Sequence, residues 1–289
     1  MYDIGGYTEA KTVDEVIELL KNNDNALIIS GGTDVLIKAR ERKSGYVGRD
    51  LIGITRIPEL MGVKMNSDES IIIGPATTFS GVEKNEIIAK NLNNLSYAVG
   101  TVGGPQTRNA GTIGGNICNG ATSADSASTL FAYNASVIIK GINGERELPI
   151  SEFYLGPGKV ALEHSDVLVG IKIKKEDYHG YKGHYIKFSP RKAMDIATLG
   201  CSVLIKENNG VIEDLRIAFG VAGPTPIRVN NAEEYAKGKT ISPEVLDKIG
   251  ELCLENSRAR DSWRASKAFR EQLIKELPKK AIMISSGGK

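Results

Sequence analysis

Residues 101–123 read TVGGPQTRNAGTIGGNICNGATS, with glycine at Gly103, Gly104, Gly111, Gly114, Gly115 and Gly120 and no aromatic or acidic side chain. Such a stretch cannot fill a core. Bare backbone is used where the main chain must turn through positive φ or come close to something else. A second bare turn, SGGTD, spans Ser30 to Asp34. Without Cβ atoms, amide groups can converge on an anion, and the hydroxyls of Thr33 and Thr112 can add hydrogen bonds to phosphate oxygens. Together the loops predict a cradle for a diphosphate; the competing reading is a pair of tight turns. Neither loop is a Walker sequence or a GxGxxG fingerprint, and GPGK at Gly156 to Lys159 lacks the following Ser or Thr.

The surrounding segments alternate. Thr12 to Glu15 is a capping box, and Val13, Val16, Ile17 and Leu20 follow at helical spacing. Ala26 to Ser30 reads as a strand feeding the first glycine turn, and Asp34 to Lys43 as a helix leaving it. Further strands are expected at Ser70 to Ile73 and Ser136 to Lys140, and helices at Phe79 to Asn85, Ile87 to Val99 and Ser126 to Tyr133. Lys175 to Gly183 is a polar, glycine-bearing connection that suggests a domain boundary. Beyond it, Thr198 to Lys206 and Val211 to Val221 flank Asn208, Asn209 and Gly210, which predicts a hairpin. Pro243 to Asn256 and Ser262 to Leu277 are amphipathic helices, the second expected to be interrupted by Pro278.

At 41% hydrophobic and 25% charged residues, the chain can bury a sizeable core. A formal net charge of +2 on 289 residues argues against nucleic acid as the main partner. No run reaches the roughly twenty apolar residues of a membrane span, and the beginning MYDIGGYTEAKTVDE has no basic region followed by an apolar one, so a cytoplasmic chain without membrane insertion is expected. Cys118, Cys201 and Cys253 are scattered and read as ordinary thiols; His164, His179 and His184 suggest no metal site.

SGGTDVL at Ser30 to Leu36 and GPQTRNAGTIGGNICNGATSADSA at Gly104 to Ala127, joined by GPGKVALEH, MDIATLGC, AFGVAGPTPIR and SWRASKAFR further on, resemble the flavoprotein subunits of the molybdenum hydroxylases over essentially the whole chain. Within that family the likeness is to the separate FAD-binding subunits of bacterial xanthine dehydrogenases. The resemblance implies an α+β fold: a FAD-binding domain of the vanillyl-alcohol-oxidase type over residues 1–176, in lobes of about 1–60 and 61–176, then a C-terminal α+β domain over 177–289.

The resemblance also implies contacts. Ile28, Ile29, Ser30, Gly31, Gly32, Thr33, Asp34 and Val35 match the family's first diphosphate segment, and Thr112, Ile113, Gly114, Gly115 and Asn116 match its second. Val102 and Gly103 match a further contact, Asp125 an acidic cofactor-binding position, Leu168 and Lys187 positions toward the flavin and its chain, and Ile196 the position beside the isoalloxazine ring. Each has a plainer reading. Asp125 could cap the helix that follows it, Lys187 could be a solvated charge, and Ile28, Leu168 and Ile196 could be core residues. Trp263 and the RASKAFR segment read as packing or subunit contacts.

The implied activity is electron transfer. A molybdopterin-binding large subunit hydroxylates the substrate, two [2Fe-2S] clusters on a small subunit carry the electrons to FAD on this chain, and NAD+ takes hydride beside Ile196; a dimer of heterotrimers is expected. No catalytic acid, base or metal ligand is expected on this chain. The cysteine-bearing insertion of relatives that reduce aromatic thioesters is absent. Open alternatives are the equivalent subunit of a nicotinate or carbon monoxide dehydrogenase, a self-sufficient flavin oxidase, and a noncatalytic nucleotide-binding scaffold.

Overall fold

The computed structural model describes residues 2–287; the last two residues of the expected C-terminal domain, 288–289, lie outside them. Three parallel strands open the chain, with Asp50–Gly53 paired between Gly6–Glu9 and Ala26–Ile29. The helix Val13–Lys21 buries Val13, Val16, Ile17 and Leu20. Thr12 caps it by accepting from the amide of Glu15 at 3.1 Å, while Glu15 reaches back to the amide of Lys11 at 2.7 Å, one residue before the usual capping-box donor. Ala26–Ile29 runs into the SGGTD turn and then the helix Val35–Arg40.

A five-stranded antiparallel sheet follows, in the order Val63–Met65, Ile71–Ile73, Val167–Ile173, Ser136–Gly141, Gly144–Pro149. Ile71, Ile73, Val137, Ile139 and Ile171 pack on a layer of short helices through Phe79, Ile88, Leu95, Ile113, Ile117 and Leu130. The helix expected over Ile87 to Val99 is two helices, Glu86–Asn91 and Asn93–Gly100. Leu92 between them leaves helical geometry at φ −129° and ψ 45°, and buries its side chain completely.

The C-terminal sheet, Lys182–Phe188, Leu199–Asn208, Val211–Gly220 and Ile227–Arg228, is antiparallel. Its central hairpin turns on Asn209 and Gly210, both at positive φ, as the Asn-Gly pair requires. The connection before it carries a short helix, Lys175–Tyr178, with Asp177 and Tyr178 buried, and is less polar in its surroundings than its composition suggests. Pro243–Glu255 and Lys267–Ser285 pack on the sheet's outer face. The last helix departs from expectation twice. It begins at Lys267, capped by Ser266, because Ser262 to Ala265 close a local turn, and it continues unbroken through Pro278. A mid-helix proline costs about 3 kcal/mol; buried Leu273, Ile274, Leu277, Ala281 and Ile282, on both sides of the ring, hold the helix against the sheet.

The inner face of this sheet meets the helix Asp125–Ala132, whose eight residues are all buried between the two sheets. That helix carries the N-terminal part of the site into contact with the C-terminal layer.

Candidate functional site

A cleft of about 1060 Å³ opens between the SGGTD turn, the Val102–Thr107 and Thr112–Asp125 segments, the turn before Val167–Ile173 and the Met194–Ile196 loop. Of the site residues expected from the sequence, all but Ile29, Ile113 and Lys187 line it. Ile29 is 8% exposed beneath the turn, and Ile113 is fully buried in the core under the second loop.

The two glycine loops do different work. The amides of Gly31, Gly32, Thr33 and Asp34 find no protein acceptor among the described residues, although they stand at the cleft. Unpaired amides converging at a bare turn can hold an anion. The second loop spends its amides internally: Ile113 donates to Thr77 O at 3.0 Å, Gly114 to Pro75 O at 2.9 Å, and Gly115 to the Thr112 hydroxyl at 3.2 Å. Thr112 in turn donates to Ser30 Oγ at 3.1 Å, which ties one loop to the other. Gly114 is a packing glycine, since a Cβ there would stand 2.4 Å from the Pro75 side chain. The cradle expected from both loops together is therefore one array of free amides, on the first loop, braced by the second.

Asp125 does not cap its helix. Ala124 occupies the N-cap position, and the Asp125 carboxylate instead accepts from Tyr185 Oη at 2.6 Å and from Lys187 Nζ at 2.8 Å. Lys187 also donates to Thr101 O at 3.0 Å, and its side chain is 9% exposed, so it is a buried ion-pair partner behind the cleft wall and no solvated surface charge. Burial pushes the Asp125 carboxyl up, opposed by Lys187 and the two hydrogen bonds. Burial and the neighbouring carboxylate keep the Tyr185 phenol protonated, far above its ordinary range, so it is the donor of that pair.

Leu168 is buried and Ile28 half-buried, but Ile196 is 47% exposed on the rim. The Ile196 loop folds on itself, Arg191 N donating to Asp195 at 3.0 Å, and crosses to the opposite wall, where Met194 N donates to Gly103 O at 3.3 Å. Cys118 lines the wall, where burial pushes its thiol up to about 12, too high for a nucleophile at neutral pH. His164 sits at the far end and anchors through Nε2 to Leu20 O and Asn23 O, both at 3.1 Å. Sequence reasoning missed Tyr185, Met194, Gln106 and Thr107. The last two lie inside the glycine-rich stretch and could have been included with it. Tyr185 gave no signal, because its partner is sixty residues away.

Residues 2–174 match the family of FAD binding domains in molybdopterin dehydrogenases, and residues 184–284 match the C-terminal domain of carbon monoxide dehydrogenase flavoproteins. The chain belongs to the FAD-binding subunits of the molybdenum hydroxylases. It is 41% identical to the xanthine dehydrogenase FAD-binding subunit of Escherichia coli O157:H7, covering 100% of this chain and 99% of that one. The carbon monoxide dehydrogenase medium chain of Hydrogenophaga pseudoflava is 28% identical over 96% of this chain and 95% of its own length. A structure of carbon monoxide dehydrogenase from that organism superposes with a TM-score of 0.93 at 27% identity, over 99% of both chains. This FAD-binding subunit thus has the α+β fold that its sequence resemblance implied. No helix among its described residues is long and apolar enough to cross a membrane.

Proposed function

We propose that this chain is the electron-transfer subunit of a xanthine dehydrogenase, linking the [2Fe-2S] clusters of a small partner subunit, supplied by a molybdopterin-bearing large subunit, to NAD+. The observation that carries the reading is 41% identity along the entire chain to the FAD-binding subunit of that enzyme, against 28% for the carbon monoxide and nicotinate dehydrogenase relatives. FAD, when bound, accepts electrons singly and gives them up as a hydride pair.

The residues of the cleft fit such a group. The free amides of Gly31 to Asp34 offer donors to a dinucleotide's diphosphate at the cleft wall, with Thr33 beside them. Asp125 offers an acceptor to a hydroxyl or ring N–H, and Leu168 an apolar surface. Four carboxylates along the wall are each tied to a cation: Asp34 to Lys38, Asp125 to Lys187, Asp166 to Arg146 and Asp195 to Arg191. They place and orient, which is the part a protein plays when the cofactor carries the reaction. Among the described residues no group of three or more His, Cys, Asp or Glu is arranged to hold a metal, so the reading assigns molybdenum and clusters to partners.

The test is an anaerobic visible spectrum of the purified chain during titration with NADH. A flavin band that bleaches supports the reading. Bound flavin indifferent to NADH removes NAD+ as acceptor, and no flavin even after coexpression with the partner subunits overturns the assignment. Xanthine, nicotinate and carbon monoxide offered to the assembled complex then separate the substrates.

A further inference from the structure

We infer that Tyr185 is a positioning residue for the cofactor, holding the Asp125 carboxylate in the one orientation that faces the cleft; the inference rests on the reading of this cleft as the FAD site. Tyr185 is 1% exposed and lies on the strand Lys182–Phe188, outside the part of the chain that forms the glycine loops. Its hydroxyl ends on one carboxylate oxygen, while Lys187, two residues along on the same face of the strand, ends on the other. With both oxygens held, the carboxylate cannot rotate, and the lone pairs left over are those available to a ligand donor in the cleft.

A second feature is built for the same contact. On the neighbouring strand Gly200 leaves the space that the phenol occupies: a Cβ there would stand 2.8 Å from Tyr185 Oη. The position opposite Lys187 is thus bare where a tyrosine two pairs away reaches across to Asp125.

The experiment measures FAD dissociation constants of the deflavinated chain for wild type, Tyr185→Phe, Gly200→Ala, Asp125→Ala and Tyr185→Phe with Asp125→Ala, alongside apoprotein melting. Tyr185→Phe keeps the ring but removes a hydrogen bond to a buried carboxylate, so the apoprotein should melt lower, as that of Asp125→Ala should too; beyond that shared loss, freeing the carboxylate to turn should weaken FAD about ten-fold. Gly200→Ala, which leaves the tyrosine in place but displaces its hydroxyl, should weaken FAD in the same direction. In the Asp125→Ala background the tyrosine substitution should change affinity less than about twofold, because the two act as one unit. Wild-type affinity in Tyr185→Phe, or penalties that add in the double variant, would overturn the inference while leaving FAD binding intact. A wild-type chain that takes up no FAD overturns both readings at once.

Discussion

The carbonyl oxygen of Ala110 lies where a side chain at Gly31 would begin: a Cβ built on Gly31 would stand 1.9 Å from it and 2.9 Å from the Gly111 Cα. The two glycine loops therefore cross backbone against backbone, and bareness at Gly31 serves that crossing as well as any ligand. Gly115 is different. It is exposed at the cleft, and a Cβ there would meet only the Thr112 hydroxyl, at 3.0 Å.

Gly31→Ala should consequently separate from Gly115→Ala. The first must push two loops apart and should cost about 1–3 kcal/mol of stability along with FAD binding. The second should melt within about 1 kcal/mol of wild type and weaken FAD alone. Thermal melts and flavin content of the two variants decide this, and equal loss of stability in both would contradict the division of roles.

Asp166 sets a pH dependence. Burial would raise its carboxyl, but the fork of Arg146, at 3.1 and 2.6 Å, and the Glu163 amide at 2.7 Å win and hold it below its ordinary value of 3.8. Gly141 makes room for it, since a Cβ there would be 2.3 Å from Asp166 Oδ1. A depressed folded value means the stabilisation is present above the ordinary value and is lost as pH falls through the folded one. Asp166→Asn should cost about 1.5–3 kcal/mol at neutral pH, with the gap to wild type closing below about pH 4. Urea midpoints across pH 3 to 7 measure it; a gap independent of pH would mean the carboxylate's charge contributes nothing.

Arg270 gathers the loop before the last helix. The residue is 2% exposed, and its guanidinium donates to Thr198 O at 3.3 Å, Ser262 Oγ at 2.7 Å, Ala265 O at 3.3 Å and Arg260 O. An ammonium cannot reach four acceptors in that fan. Arg270→Lys should destabilise the chain by on the order of 3 kcal/mol and expose the 258–266 segment to protease. An unchanged denaturation midpoint with an intact loop would show the fan to be dispensable.

Local chemistry was the legible part of this fold. Thr12 announced the first helix, Asn209 and Gly210 announced the hairpin, and both act through neighbours a few residues away. Long-range packing was not legible. Pro278 stays helical because the sheet beneath it outweighs the local penalty, and the single helix expected over 87–99 divides at fully buried Leu92. Within the site, the glycine stretches marked the walls, yet they could not say which amides remain free, since the answer depends on Pro75 and Thr77, some forty residues before the second loop. Asp125 could be a cap or a ligand from its place in the chain; its partners come from a strand sixty residues on, a distance no periodicity reports.

On the proposal that NAD+ is the acceptor, Ile196 marks the place where nicotinamide would approach. It stands on the rim, 47% exposed, with Met194 at 65% beside it, while Ala197 and Thr198 immediately after are buried and anchor the loop. A side chain so exposed contributes little to folding, so a larger one should change stability by no more than about 0.5 kcal/mol. Ile196→Trp should therefore keep the melting temperature and the flavin content, yet slow anaerobic bleaching by NADH at least about ten-fold, since hydride transfer fails when the reacting atoms are held even an ångström too far apart. Ile196→Ala, which opens the same rim, should bleach at a rate within a few-fold of wild type. If the tryptophan variant is reduced as fast as wild type, nicotinamide reaches the flavin from another side of the cleft, and the role assigned to this loop passes to whichever wall a second bulky substitution can block.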